Sequence, residues 1–133
     1  MEKLIKTIGL FIGIGILNTI AFTFYLSTTG LPGGEVGMAP FLIAMESGIA
    51  IVLSTVIYLL VRNRFKVTTI RIILIYQVIY LLTLIFSGVN PFDGDLTATF
   101  KTLAQWTYFV SFLVTIALLL TAKLISGLMT NRE

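Results

Sequence analysis

The chain contains no cysteine and no histidine, which removes several classes of function at once. Without cysteine there is no disulfide bond and no thiol nucleophile, and without either residue the usual zinc ligands are missing. Acid–base catalysis by histidine is excluded for the same reason. These absences lead us to expect that the protein is not an enzyme and that it holds no metal ion and no cofactor.

Charged residues are also scarce. They make up only 11% of the 133 residues, whereas 57% are hydrophobic and the mean hydropathy is +1.03, a composition that excludes an ordinary water-soluble domain. Apolar segments at residues 4–26, 41–61, 70–87 and 102–129 are each long enough for a helix that crosses the ~30 Å hydrocarbon core of a bilayer. The sequence therefore predicts an all-α integral membrane bundle of four transmembrane helices, which forms a single domain over residues 1–133.

The positive charges predict the orientation of the bundle. Of the nine lysine and arginine residues, only Lys101 falls on the side of the membrane that holds the first and third predicted loops. The other eight fall on the opposite side, namely Lys3, Lys6, Arg62, Arg64, Lys66, Arg71, Lys123 and Arg132. Because cytoplasmic loops are enriched in such residues, we expect both termini to be cytoplasmic in a multi-pass protein of the inner (cytoplasmic) membrane.

The densest group of positive charges is formed by Arg62, Arg64, Lys66 and Arg71, between the second and third predicted helices. Topology alone explains such a group, since short cytoplasmic loops are basic in most membrane proteins. The alternative is that these residues bind phosphate groups or anionic lipid headgroups.

One carboxylate, Glu46, lies inside the second predicted span. Insertion scales assign such a group a cost of about 2.5–3.5 kcal/mol, so it normally faces protein or water. A rise of ~1.5 Å per residue from Val61 places Glu46 about 22 Å from the cytoplasmic end, in the outer half of the membrane. The same counting brings polar residues of the other helices to this level: Asn18, Thr19, Thr83, Thr107 and Ser111.

Two interpretations of this polar level are open. In the first, it is a hydrogen-bonded layer that fixes helix packing and holds Glu46 in its neutral form. In the second, it lines an outward-facing cavity where Glu46 binds a cation, a proton or a polar group of a substrate. Nearer the cytoplasm, we expect Gln77, with Tyr76 and Tyr80, to form interhelical hydrogen bonds. The expected partners are Ser54 or Thr55 on the second helix and Thr115 on the fourth. The four-residue spacing of Gly9 and Gly13 predicts a close-packing face on the first helix.

Three segments resemble those of a known family: FIGIGILNT in the first helix, LLVRNRFKV at the end of the second and KTLAQ at the start of the fourth. The residues that match in the first two are Phe11, Gly15, Asn18, Thr19, Arg64 and Phe65. These segments are similar to those of GtrA-like proteins, which are small four-helix membrane proteins with both termini in the cytoplasm. The end of the fourth helix, LLLTAKLIS, departs from the family pattern.

The resemblance implies that the protein translocates a polyprenyl-phosphate-linked sugar across the membrane for glycosylation of the cell envelope. Arg62, Arg64 and Lys66 would then contact the phosphate, and Asn18 and Glu46 would be polar contacts along the route.

Two other functions fit the sequence. One is a non-catalytic subunit of a membrane complex, or an immunity-type protein that binds a membrane-acting partner. The other is a small proton- or cation-coupled transporter that uses Glu46. Membrane lipid is an expected partner in every case, a homo-oligomer or a membrane-protein partner fits each of them, and no nucleic acid partner is expected.

Overall fold

The computed structural model of the protein describes residues 2–30, 36–64, 67–90, 92, 94 and 98–130. They form four helices, α1 (Glu2–Thr29), α2 (Ala39–Val61), α3 (Thr69–Phe86) and α4 (Ala98–Thr130), with one 3-10 turn (Val36–Met38) before α2. All four helices are long and apolar enough to cross a membrane, and this part of the chain contains no strand. The predicted all-α membrane bundle is confirmed, and the protein is a multi-pass membrane protein.

The helices pack in sequence order around the bundle. Each contacts the next along the chain, and α4 closes the ring by contacting α1. Across the diagonals, α1 also contacts α3, whereas the described parts of α2 and α4 do not contact each other. Consecutive helices run in opposite directions, so one end holds the start of α1, the turn between α2 and α3 and the end of α4. We call it the basic end, because six of the seven lysine and arginine residues that the structure describes belong to its segments. The other is the opposite end.

The distribution of side chains is inverted relative to that of a water-soluble protein. Large apolar residues such as Phe24, Leu60 and Phe112 cover the surface of the bundle. Glutamate, asparagine and glutamine side chains lie inside, at Glu46, Asn18 and Gln77. Since lipid tails are as apolar as these surface residues, the arrangement places polar groups where other helices can satisfy them.

The described helices extend beyond several of the expected boundaries. Helix α1 continues to Thr29, and the hydroxyls of Ser27, Thr28 and Thr29 donate hydrogen bonds to carbonyl groups three residues earlier in the same helix. It ends at Gly30, whose φ of 61° is the left-handed conformation that commonly terminates helices. Helix α4 begins at Ala98 and thus includes Lys101.

Two helix starts follow from single residues. Pro40 lies in the first turn of α2, where its missing N–H has no helical partner to lose. Thr68 caps α3 by accepting a hydrogen bond from the backbone N–H of Arg71 at 3.5 Å. The cap sets where α3 begins after the basic turn.

The centre of the bundle is held by a close approach at Gly15. A Cβ atom on this residue would lie 2.8 Å from the Tyr76 hydroxyl, 3.3 Å from Ile51 and 3.5 Å from Ser47. Gly15 therefore lies where α1, α2 and α3 converge. The expectation that Gly9 and Gly13 form the packing face is wrong, since a Cβ atom at either would meet nothing within 4 Å. The spacing is right for close packing, but both glycines face outward.

Substitution of Gly15 by alanine is expected to destabilise the bundle by about 1–3 kcal/mol, the usual range for overpacking. The added methyl group would have to displace Tyr76, which is fully buried. Gly13→Ala is the matched control, since it adds the same methyl group to the same helix in open space and removes a flexible glycine. Unfolding in mixed micelles, followed by circular dichroism, measures both; equal stability of the two variants would contradict the assigned contact.

Candidate polar site

A group of buried polar residues occupies the middle of the bundle. We call it the polar centre and define it by six side chains that are each at most 3% exposed: Asn18, Glu46, Ser47, Gln77, Tyr80 and Ser111. All four helices contribute to it. In a membrane span such groups are tolerated when they face one another or a polar cavity.

Gln77 connects three of the helices. Its side-chain carbonyl accepts a hydrogen bond from Nδ2 of Asn18 on α1 at 3.1 Å. Its amide nitrogen donates to the backbone carbonyl of Ser111 at 3.0 Å and to the hydroxyl of Thr115, both on α4. The predicted contact between Gln77 and Thr115 is therefore present. Asn18 and Ser111, which were expected at one level, are joined through Gln77, which the depth count had placed nearer the cytoplasm.

Helix α2 contributes Glu46 and Ser47. The Tyr76 hydroxyl donates to the backbone carbonyl of Ser47 at 3.4 Å. Tyr80 is close enough to Glu46 for an electrostatic interaction. Glu46 is 3% exposed, so its side chain is buried inside the bundle.

Several atoms in the interior have unused hydrogen-bonding capacity. Four buried side-chain atoms are without a hydrogen-bond partner in the described structure: Asn18 Oδ1, Ser47 Oγ, Ser54 Oγ and Ser111 Oγ. Three of the four belong to the polar centre. An unmatched buried polar group costs about 1–3 kcal/mol. A polar molecule that entered the bundle would therefore find donors and acceptors ready to bind it.

The threonines expected at the same level use their hydroxyls within their own helices. Thr19 donates to the Gly15 carbonyl at 3.0 Å, Thr83 to the Tyr80 carbonyl at 2.8 Å and Thr107 to the Leu103 carbonyl at 2.8 Å. Thr83 and Thr107 are buried, and Thr19 is half-buried. A hydroxyl that donates to its own helix keeps only acceptor capacity.

An apolar groove opens at the opposite end of the bundle. Its volume is about 390 Å³, within the range typical of sites for small ligands. The lining comes from α1, α2 and α4 and from the turn after α3, and includes Phe22, Ala39, Ile43, Val89, Leu103 and Thr107. The Tyr108 hydroxyl donates hydrogen bonds to the carbonyl of Val89 in that turn, at 3.0 Å, and to the carbonyl of Leu81 in α3, at 3.3 Å. These bonds hold the turn against α3 and α4.

The groove and the polar centre are adjacent. On α2, the groove residue Ile43 precedes Glu46 and Ser47 by three and four positions, which is one helical turn. On α4, the groove residue Thr107 precedes Ser111 by four positions, and both are buried. The apolar lining thus gives way to polar side chains within one turn of both helices.

The basic end carries exposed cations. Arg62, Arg64 and Arg71 are exposed around the turn between α2 and α3. Lys6 forms an exposed ion pair with Glu2 at 2.7 Å, within the first turns of α1. Lys66 and Arg132, which were expected on this side, lie outside the described residues.

The sequence predicted interhelical contacts for Gln77 and Tyr80 but did not predict that they lie with Asn18 and Ser111 in one site. The amide of Gln77 carried a usable signal, because it is the one amide side chain in α3. Neither Ser47 nor the groove was predicted, since serine is an ordinary residue of membrane helices.

The chain was compared with known proteins. No protein-family model matches it, and neither a curated protein nor a solved structure is significantly similar to it.

Proposed function

We propose that this protein translocates a polyprenyl-phosphate-linked sugar across the cytoplasmic membrane, with its basic end on the cytoplasmic side. Such a substrate has three chemically distinct parts, which are a long apolar chain, an anionic phosphate and a hydroxyl-rich sugar. The bundle has an environment that suits each part, and we propose that they act in succession: the cations of the basic end bind the phosphate first, and the groove and polar centre receive the chain and the sugar during transit.

The observation that carries the proposal is the adjacency of the apolar groove and the polar centre. The groove suits an isoprenoid chain, because its lining is almost wholly apolar. The polar centre, one helical turn away, suits sugar hydroxyls, because Asn18 Oδ1, Ser47 Oγ and Ser111 Oγ have no partners of their own. An amphipathic lipid could therefore place its chain and its head in neighbouring sites.

The exposed arginines of the basic end support binding of the phosphate. Arginine pairs well with phosphate, and cations near a membrane surface contribute roughly 1 kcal/mol each to the binding of anionic lipids. Arg62 and Arg64 follow α2 directly, so the helix that carries Glu46 also leads to the cationic surface. The resemblance to GtrA-like proteins points to the same substrate class.

Replacing Arg64 with alanine is expected to weaken binding of a short-chain polyprenyl phosphate about fivefold, since one cation is worth roughly 1 kcal/mol near the surface. Asn63→Ala is the matched control, because Asn63 is an exposed neighbour without charge. Titration of the ligand into protein held in lipid nanodiscs measures both. Identical affinities for the two variants would remove Arg64 from the phosphate site.

The proposal is tested by the lipids that remain bound when the protein is extracted from its native membrane with a lipid-preserving polymer. We expect mass spectrometry to find polyprenyl-phosphate lipids enriched over their share of the total membrane. A lipid content equal to that of the bulk membrane, together with a protein partner in fixed stoichiometry, would contradict translocation. That result would instead favour a membrane-complex subunit or an immunity-type protein.

A further inference from the structure

We infer that Glu46 is a binding site for one exchangeable proton inside the bundle. This inference goes beyond the proposed function and does not depend on which molecule the protein transports. It rests on the place of the carboxyl group, on the charges around it and on the polar atoms beside it.

The carboxyl group lies in an apolar span and is nearly closed off from the surface. Glu46 is on the second turn of α2, with the groove residues Leu42, Ile43 and Met45 before it in the same helix. Its side chain is buried inside the bundle. An ionised carboxylate in such a place is strongly disfavoured unless a cation compensates it.

No compensating charge faces Glu46 in the described structure. Among the buried side chains of the described residues, Glu46 is the one acidic residue, and none of them is a lysine or an arginine. The titratable group that interacts with it on α3 is the phenol of Tyr80, which is neutral at physiological pH. The described part of α4 contributes no buried charged side chain. On α1, the residue that reaches the polar centre is Asn18, which carries no charge.

The neighbouring atoms suit a proton better than a metal ion. A protonated carboxyl needs one acceptor for its O–H and at most a donor or two for its carbonyl oxygen. Ser47 brings a buried hydroxyl without a partner, and Tyr80 brings a phenol. Calcium and magnesium require six or more oxygen ligands and more negative charge than one carboxylate supplies. Within the described residues, no three acidic, cysteine or histidine side chains come together.

The consequence is a charge switch in the polar centre. With the proton bound, the interior of the described bundle is neutral and the carboxyl can both donate and accept hydrogen bonds. With the proton released, it becomes a buried anion that attracts a proton, a cation or polar hydroxyls. Any step that opens the polar centre to water therefore changes the charge of the interior.

Infrared spectroscopy of the purified protein in lipid tests this inference at neutral pH. The wild-type protein should show the C=O stretching band of a protonated carboxyl, and the band should shift on transfer to heavy water because the proton exchanges. Glu46→Gln should lack the band. Glu2→Gln, which removes an exposed acid from α1, should keep it.

Three results would overturn the inference. The first is a wild-type spectrum with carboxylate bands alone, and the second is a protonated band that persists in Glu46→Gln. The third is a wild-type band that disappears when sodium or potassium chloride is added, which would assign the site to a metal cation. The wild-type measurements do not require the variant to fold, and none of the measurements requires a transport assay. A failure of the proposed function is therefore distinguishable from a failure of this inference.

Discussion

Replacing Tyr76 with alanine is expected to lower the free energy of unfolding of the bundle by about 3 kcal/mol. This is the lower end of the range of ~3–5 kcal/mol for the loss of a large aromatic core residue in soluble proteins. We choose the lower end because lipid is as apolar as the core, so the loss is mainly one of packing. Tyr76 is 0% exposed and is stacked between Phe11 and Tyr80, with ring centroids 5.9 and 6.1 Å away.

Phe86→Ala is the matched control for this effect. Phe86 is an aromatic residue of the same helix, but its side chain is 86% exposed on the surface of the described bundle. Its loss should change the stability by less than about 0.5 kcal/mol, as is usual for surface substitutions. Titration of the micelle-bound protein with a denaturing detergent measures both variants. A similar loss for the two would mean that the aromatic stack does not hold α1 and α3 together.

Replacing Glu46 with glutamine is expected to slow translocation of the lipid-linked sugar about ten- to hundredfold. The amide keeps the size of the side chain but exchanges one acceptor oxygen for a donor and holds no exchangeable acid proton. A buried hydrogen-bonding group left without its partner costs about 1–3 kcal/mol, and each ~1.4 kcal/mol corresponds to a factor of ten in rate. Flux of labelled substrate into proteoliposomes measures the effect.

The control for this variant is Glu2→Gln, which makes the same chemical change at an exposed position of α1. It should translocate at the wild-type rate. Both variants should unfold at wild-type denaturant concentrations, which separates a functional loss from a folding defect. Unchanged translocation by a folded Glu46→Gln protein would remove this carboxyl from the route.

The four helices could be predicted because hydropathy and length suffice to define membrane spans. The helix boundaries in the structure differ from the predicted ones where individual side chains decide how far a helix extends. At the end of α1, the polar residues Ser27, Thr28 and Thr29 are still helical, with their hydroxyls bonded to carbonyls of the same helix, and the helix stops at Gly30, which has a positive φ. Hydropathy averages over whole turns and does not register such bonds.

The polar centre could be predicted only in part. Counting residues along a helix gives depth, and it brought Asn18, Ser111 and Glu46 to one level. It does not give the rotation of a helix about its axis, so it could not tell that Gly15 faces inward and that Gly9 and Gly13 face outward. Nor could it identify Gln77 as the residue that joins α1 to α4.

The groove was not predictable from the sequence. Its wall combines residues of α1, α2 and α4 with the turn after α3, and the described parts of α2 and α4 make no close backbone contact with each other. Both are properties of the assembled bundle. Each lining residue, taken alone, is an ordinary apolar residue of a membrane helix.

The most direct test of the central claim is translocation by the purified protein in liposomes that contain no other protein. The substrate is a polyprenyl-phosphate-linked sugar with a fluorescent label on the sugar, and a membrane-impermeant quencher reports the fraction that remains on the outer leaflet. We expect the protected fraction to exchange between leaflets at least tenfold faster with the wild-type protein than in protein-free liposomes, and Glu46→Gln to abolish most of this gain. Exchange at the protein-free rate, in liposomes where the bundle is shown to be folded, would contradict the account.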